Sequence, residues 1–332
     1  MIITRTPFRI SFFGGGTDLP AWYRENGGAV LSTTIDKYCY VHVRRLPPFF
    51  DYKHKVVFFS KQEAFNEIDE IQHPAVRETY RFMNISEGLV MQHDGDLPSH
   101  SGLGSSSAFT VGLLHALYTL QGKMVTKKRL ALEAIHIEQE MIKEAVGSQD
   151  QVAVAFGGLN KIAFLENQNI EVTPITVGAA KVQALRDNLM LFFTGFARFA
   201  VEIEQDKINQ LDKRCVELNS MHALVDQAID VLNGDASNFD DFGRLLHETW
   251  TMKRCLSTKV SNNHIDDIYD TARKAGALGG KILGAGGGGF ILFYVKPELQ
   301  PSVKKALEKL LYVPFRFDTL GSQVIYFAEG SI

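Results

Sequence analysis

Cysteine is scarce in this chain. Three thiols, Cys39, Cys215 and Cys255, are spread over 332 residues, with no CxxC pair and no Cys/His cluster, so the spacing offers neither a zinc site nor a disulfide framework. Reduced thiols are the expectation, as in cytoplasm. A charge surplus is also absent. The formal net charge is −3, whereas non-specific binding to nucleic acid or membranes needs a basic excess. The longest apolar run, residues 290–295, falls far short of the roughly 20 residues a bilayer span requires. The first residues, 1–7, lack an apolar core and a small-residue cleavage site, so no secretory signal is expected. No segment repeats, and none is of low complexity. With 45% hydrophobic and 22% charged residues, what remains is a soluble globular protein of one large domain or two ordinary ones. Its expected partners are small molecules, not nucleic acid or membrane.

The pattern along the chain changes character several times. Residues 8–13 and 38–43 are rich in aromatic and β-branched side chains and read as strands, as does 56–59. Glycine turns at 14–16 and 26–28 separate the first two. Residues 74–92 read as helix. From Ala108 to Gln121 apolar residues recur at helical spacing. Thr126 then caps a second helix whose apolar face is Leu130, Ala134, Ile137 and Met141, with Gly147 as its stop. A short helix runs from about Asp150 to Gly157, and Glu166–Gln168 reads as a hairpin turn. Residues 189–194 form a buried strand, and helical patterns dominate from about 201 to 275. The chain closes as strand, glycine loop, strand, helix, strand. Strands and helices mixed without βαβ regularity predict an α+β fold in two lobes, 1–185 and 186–332.

Three glycine-rich segments carry the chemistry. The segment 98–108, with Ser101, Gly102, Leu103, Gly104, Ser105, Ser106 and Ser107, sits directly before a helix. Free backbone N–H groups and the helix dipole favour an anion there, and glycine lets the backbone come close to a phosphate. The serine hydroxyls can bond phosphate oxygens or ligate Mg²⁺. A plain Ser-rich helix cap is the bland alternative. The nucleotide-binding P-loop is excluded, because Gly280-Lys281 is followed by Ile282 and Ala275 stands where that motif needs glycine. The late run Gly284 to Gly289 satisfies Gly-x-Gly-x-x-Gly, but a strand follows it where the dinucleotide motif needs a helix. It reads as a glycine turn between strands, with Gly286 and Gly287 close to a ligand or to another backbone. The early run 7–18 is a strand with a glycine turn.

In this order, an early Pro-x-Arg strand, a middle Gly-Leu-Gly-Ser-Ser loop opening a helix and a late glycine hairpin, the segments resemble the GHMP kinase superfamily over nearly the whole chain. The runs 9–18, 28–38 and 276–286 look like those of D-glycero-D-manno-heptose 7-phosphate kinases, with fucose 1-kinase domains close by. Val152 departs from that pattern, which has Tyr after the Asp-Gln pair.

The resemblance implies a two-lobed fold with the active site between the lobes, ATP and Mg²⁺ as cofactors, and a sugar or sugar phosphate as acceptor. It implies that residues 101–107 cradle the phosphates and that Ser106 and Glu138 hold the cation. On the residues alone, Glu138 reads first as one solvated acid among Glu133, Glu140 and Glu144. It implies that Asp150 acts on the acceptor hydroxyl beside Arg9, although a plain helix cap accounts for Asp150 as well. Gly16, Thr17 and Asp18 match positions that bind sugar hydroxyls, while Asp18 alone could be a turn residue. Arg198 follows a buried strand and could face either the cleft or the surface. A phosphorylated acceptor needs a second anion site, for which Arg198, Lys281 and the adjacent Lys253 and Arg254 are candidates. The readings left open are a sugar-phosphate or fucose-type 1-kinase, an isoprenoid or amino-acid kinase, and a ligand sensor without catalysis.

Overall fold

The computed structural model describes residues 1–58, 61–99, 101–195, 203, 205–206, 208, 211–234 and 239–328. In chain order the first elements are β1 (Ile2–Phe13), α1 (Pro20–Asn26), β2 (Gly28–Arg45), β3 (His54–Phe58), β4 (Lys61–Phe65), α2 (Pro74–Phe82), β5 (Leu89–Gly95), α3 (Ser105–Leu120), α4 (Lys127–His136), α5 (Gln149–Phe156), β6 (Asn160–Phe164) and β7 (Ile170–Pro174). Then come α6 (Ala179–Asp187), β8 (Leu189–Gly195), α7 (Cys215–Asn233), α8 (Asp240–Leu256), α9 (Asn263–Lys274), β9 (Gly279–Ile282), β10 (Gly289–Tyr294), α10 (Gln300–Ala306), β11 (Leu311–Tyr312), β12 (Phe317–Asp318) and β13 (Gln323–Phe327).

Among the described residues, nine strands form one sheet in the order β13-β1-β2-β5-β3-β4, with β6 and β12 added at β2 and β7 at β6. Four more form a second sheet, β11-β8-β10-β9. Only β3 and β5 pair in parallel. This is the α+β arrangement expected from the sequence. β12 and β13 return to pair with β2 and β1, so a division at residue 185 leaves the last strands of the chain in the first half's sheet.

Helix α3 is apolar on nearly every side and is buried accordingly, with Phe109, Val111, Leu113, Leu114 and Leu117 in the core. It lies against β1 and β2, where Gly112 allows close approach: a Cβ there would sit 3.0 Å from Thr6 Oγ1. Thr4 Oγ1 donates to Gly112 O at 2.9 Å, satisfying a buried hydroxyl on the helix backbone. A second, smaller core gathers Phe192, Trp250, Tyr269, Ile282, Ile291 and Phe293 between the four-stranded sheet, α8 and α9. Phe242 of α8 joins the halves, meeting Phe12 and Phe13 edge-on with ring centroids 5.3 and 5.0 Å away.

The predicted helix 74–92 is corrected. α2 ends at Phe82, Asn84 turns through φ 51°, and β5 follows. Residues 89–91 alternate buried, half-buried, buried, the period of a strand rather than a helix. β5 is fixed by partners far away in sequence, Cys39–Arg45 and Lys55–Phe58.

Contact between α8 and β9 depends on glycine. A Cβ on Gly279 would stand 1.9 Å from Gly243 O, so the helix backbone rests directly on the strand. Gly279→Ala must push α8 off the sheet and should destabilise the protein by about 1–3 kcal/mol in denaturant melts. Gly178→Ala, at an exposed position with nothing near its missing Cβ, should stay within about 0.5 kcal/mol of the parent.

Candidate active site

β1 delivers Arg9 to the end of α5 and to the loop before α3. Its Nε and Nη2 donate to Asp150 Oδ1 and Oδ2, both at 2.7 Å, and Nη1 donates to Gly102 O at 2.6 Å. Arg9 N–H also donates to Leu103 O at 2.9 Å. One residue therefore ties the glycine-serine loop to the acid in the first turn of α5. The loop needs its glycines for this. Gly104 has φ 74°, and a Cβ there would meet Arg9 Cγ at 3.1 Å and Asp150 Oδ2 at 3.4 Å. Gly102 has φ 85° and lies against Leu283 O, where a Cβ would stand 2.5 Å away. The late glycine hairpin packs on the loop from the other side, with Phe290 N–H donating to Ser101 O at 3.1 Å.

Between these segments lies a cleft of about 200 Å³. Arg9, Asp150, Gly102, Gly104, Ser105, Ser106, Ser107, Glu138, Gly16, Asp18, Lys281 and Gly286 all line it. Gly104 precedes α3, so the loop presents the N-terminal end of a 16-residue helix to the cleft. Other residues named from the sequence turn away. Ser101 is fully buried and donates its hydroxyl to Pro98 O at 2.7 Å. Leu103 packs in the core. Thr17 is fully buried; its hydroxyl donates to Gly14 O at 2.8 Å and accepts Ala29 N–H at 3.2 Å. It closes the β1 turn instead of lining the cleft. Gly287 donates its N–H to Val260 O at 2.9 Å and lies outside the cleft wall. Arg198 and His100 fall outside the described residues.

The adjacent Lys253 and Arg254 part company, because neighbours on a helix point about 100° apart. Lys253 is buried and lines the cleft. Arg254 faces outward, bonded to Asp266 at 3.2 Å and lying over Trp250.

Asp18 is held as an acceptor by main-chain amides. Oδ1 takes Gly16 N–H at 2.8 Å and Oδ2 takes Gln149 N–H at 3.4 Å. Gly147 must be small here, since a Cβ would come 1.9 Å from Asp18 Oδ2. Among the cleft residues that escaped the sequence reading are three with polar side chains, Ser11, Gln149 and Gln151. Ser11 stands two positions after Arg9 on the same face of β1, and strand period would have found it. Gln149 and Gln151 flank Asp150, where no periodicity marks them.

Glu138 is the one deeply buried acid of the run 133–144, at 1% exposed. The α4 helix passes into a π turn over Ile137–Met141, which turns Glu138 beneath the loop; such turns recur at functional sites. Glu133 accepts from Tyr118 and Arg129 on the outside. Glu138 Oε2 accepts from Ser107 Oγ at 2.9 Å and from Gln151 Nε2, while Oε1 is buried without a hydrogen-bond partner. Burial pushes its carboxyl up to about 7, against the neighbouring polar side chains Thr110, Gln151 and Ser107, which pull it down. A buried, incompletely satisfied carboxylate beside hydroxyls at an anion loop suits a hard divalent cation. Among the described residues no cluster of three His, Cys, Asp or Glu forms a closed metal cage.

The shift of Glu138 has a definite sign. Its folded value lies above the ordinary 4.5, so the native state keeps a proton that the unfolded chain releases. Stability contributed by the neutral acid is present below about 4.5 and is lost as pH rises toward 7. Melts in chelator should show the Glu138→Gln variant gaining on the parent across that window, by up to a few kcal/mol above it. Mg²⁺ should narrow the gap by stabilising the parent alone.

Two family descriptions match the chain: GHMP kinases N terminal domain over residues 70–158, and GHMP kinases C terminal over 226–313. The D-glycero-alpha-D-manno-heptose 7-phosphate kinase of Campylobacter jejuni is 30% identical over 322 residues, which cover 93% of each chain. The bifunctional fucokinase/GDP-fucose pyrophosphorylase of Arabidopsis thaliana is 23% identical over 91% of this chain and 31% of its own. A D-glycero-D-manno-heptose 1-phosphate kinase from Bacteroides thetaiotaomicron shares the fold, with a TM-score of 0.74 and 23% identity over 99% of this chain and all of that one. The loop, the arginine-clasped aspartate and the glycine hairpin thus stand in a scaffold common to these enzymes, and the chain belongs to the GHMP kinase family.

Proposed function

We propose that the protein transfers the γ-phosphoryl group of ATP to the anomeric hydroxyl of D-glycero-D-manno-heptose 7-phosphate, giving the 1,7-bisphosphate. The arrangement that carries this reading is the Arg9–Asp150 pair within the single cleft. On one side lies the loop Gly102 to Ser107, and on the other Gly16 and Asp18. A phosphate chain bound on the loop places its terminal group beside Asp150. A polyol held by Asp18 brings a hydroxyl to the same point from the opposite side. Phosphoryl transfer asks little covalent chemistry of a protein beyond this alignment and a supply of positive charge.

In this scheme Asp150 orients the acceptor hydroxyl and takes its proton as the new O–P bond forms. Arg9 holds the carboxylate in place through both oxygens, and its fixed charge lies beside the transferring group. Glu138 and Ser106 would hold Mg²⁺, which when bound neutralises charge on the phosphate oxygens. Asp18 accepts from two hydroxyls of the acceptor, which suits a pyranose. The heptose choice rests on the 30% relative, whose name states that substrate.

A neutral sugar such as fucose is the second reading, supported by the fucokinase domain that aligns with 91% of this chain. Coupled ADP release over heptose 7-phosphate, unphosphorylated heptose, L-fucose, galactose and mevalonate separates them. The heptose phosphate should give the highest kcat/KM, and ³¹P spectra of the product should place the new phosphate on C1. Faster turnover of a neutral sugar would replace this acceptor and leave the kinase intact. Asp150→Asn should keep ATP binding while kcat falls about 10²–10⁴-fold; a parental kcat would remove Asp150 from the reaction.

A further inference from the structure

Gly14, Gly15 and Gly16 follow β1 in a row, and two of the three are glycine for reasons of folding. Gly14 has φ 82°, and a Cβ there would stand 1.9 Å from Ala29 O. Gly16 has φ 108°, and a Cβ would come 3.2 Å from Leu218 Cδ2. Gly15 has neither reason. Its φ is not left-handed. Among the described residues beyond its chain neighbours, a Cβ would meet Ser11 Oγ and Gln149 Nε2, both at 3.8 Å, which is ordinary contact. Gly15 lines the cleft. The fold would accept a side chain here, so the lack of one bears on what the cleft can hold.

The two side chains bordering this space are short of partners. Ser11 is 5% exposed, and its hydroxyl has no hydrogen-bond partner among the described residues. Gln149 Oε1 is buried without one as well. Such atoms are uncommon in folded proteins and costly to leave unpaired. Both residues belong to the cleft wall, where a bound hydroxyl would satisfy them. Their backbones are fixed by the fold: Ser11 pairs with Ser32 in the sheet, and Gln149 N–H donates to Asp18 Oδ2 at 3.4 Å. Arg9 and Ser11 lie on one face of β1 in regular register with Thr34 and Ser32, so Ser11 stands about 7 Å further along the strand than Arg9. Arg9 clasps Asp150, the residue after Gln149. The space at Gly15 thus lies one strand step beyond the clasped aspartate, beside Asp18.

We propose that Ser11 and Gln149 bind a hydroxyl of the acceptor remote from the reacting one, and that Gly15 is glycine to admit the carbon that bears it. This deepens the reading of the acceptor as a sugar and rests on it. A sugar hydroxyl can donate to Gln149 Oε1 and accept from the Ser11 hydroxyl at once. With Asp18 alongside, neighbouring positions of a polyol are read by different groups, and the ring is held in one orientation toward Asp150. An acceptor without that hydroxyl leaves both buried atoms unpaired, which discriminates against it more strongly than a lost contact alone.

Steady-state kinetics of Ser11→Ala, Gly15→Ala and Gly15→Leu test the assignment, with heptose 7-phosphate and its monodeoxy forms as acceptors and ATP varied separately. Ser11→Ala should raise KM for heptose 7-phosphate about 3–10-fold, the worth of one neutral hydrogen bond, and leave KM for ATP unchanged. With one of the monodeoxy forms the parent should already show this loss, and Ser11→Ala should add nothing to it. Gly15→Leu should raise the acceptor KM about 10–100-fold, the cost of one overpacked side chain, and Gly15→Ala less. Ser11→Ala and Gly15→Ala should keep the parent's denaturant midpoint, since the hydroxyl bonds nothing in the fold and the space takes a Cβ. A lower midpoint for Ser11→Ala would make its hydroxyl a structural group. A loss equal on every acceptor, or one confined to KM for ATP, would take the pair away from the acceptor. Any of these overturns the proposal. Should Gly15→Leu not fold, Gly15→Ala decides, and a parental acceptor KM in that variant overturns the role of Gly15. A parent that prefers heptose 7-phosphate, beside a Ser11→Ala variant with parental constants, sinks only this subsite. A parent that prefers L-fucose sinks the heptose reading, and the same comparison on L-fucose and its further deoxy forms then decides the subsite. A parent that prefers mevalonate sinks both.

Discussion

Arg9 has three donor nitrogens on its guanidinium, and each is engaged: two grip Asp150 and one grips the carbonyl of Gly102. The residue is 3% exposed, so these bonds are made in low dielectric, where each is strong and its loss leaves a buried charge unmatched. The strand that carries Arg9, the loop before α3 and the start of α5 are far apart in sequence, and Arg9 bonds the last two to the first. The glycines follow from the same contact. Gly104 is needed as much for the space it yields to Arg9 and Asp150 as for any phosphate, and Gly102 for the space it yields to Leu283 and Gly284. The loop is thus shaped from three sides before a ligand arrives, which is the pre-organisation that phosphoryl transfer depends on.

A second constraint is the burial of acid. Glu138 sits beneath the loop with one oxygen satisfied twice and the other not at all. Ser107 and Gln151 hold the same oxygen, which leaves the other without a hydrogen-bond partner. The π turn that places it there loosens the regular helix ladder, a local cost retained where geometry at a site matters more than stability. Among the described residues, the acids that line the cleft, Asp18, Glu138, Glu144 and Asp150, all come from the first half of the chain, as does Arg9, while Lys253 and Lys281 come from the second.

Relatives with this scaffold carry names as different as heptose phosphate kinase, galactokinase and mevalonate kinase. Function on a shared fold resides in its sites, and around Asp18 this cleft offers Gln149, Ser11 and Lys281.

The loop 101–107, the glycine hairpin and the helix starts at Thr126 and Asp150 were legible in the sequence because each is a local matter: a run of small residues, a cap, a period. The α+β class followed from the same patterns, since strand and helix periods differ. Local signals misled where distant partners decide. Residues 89–95 form a strand because Cys39–Arg45 and Lys55–Phe58 stand ready to pair with it. Thr17 and Gly287 lie beside true cleft residues yet turn inward, and Lys253 parts from Arg254, since adjacency in a chain does not determine which way a side chain points. The separation of Glu138 from its neighbouring acids needed the π turn. The union of Arg9, Gly102 and Asp150 needed the whole fold. The sequence by itself determined which groups the chain could offer to a phosphate and where its backbone could bend. Tertiary packing alone decided which of them face one another, because contact and burial arise between residues that only folding brings together.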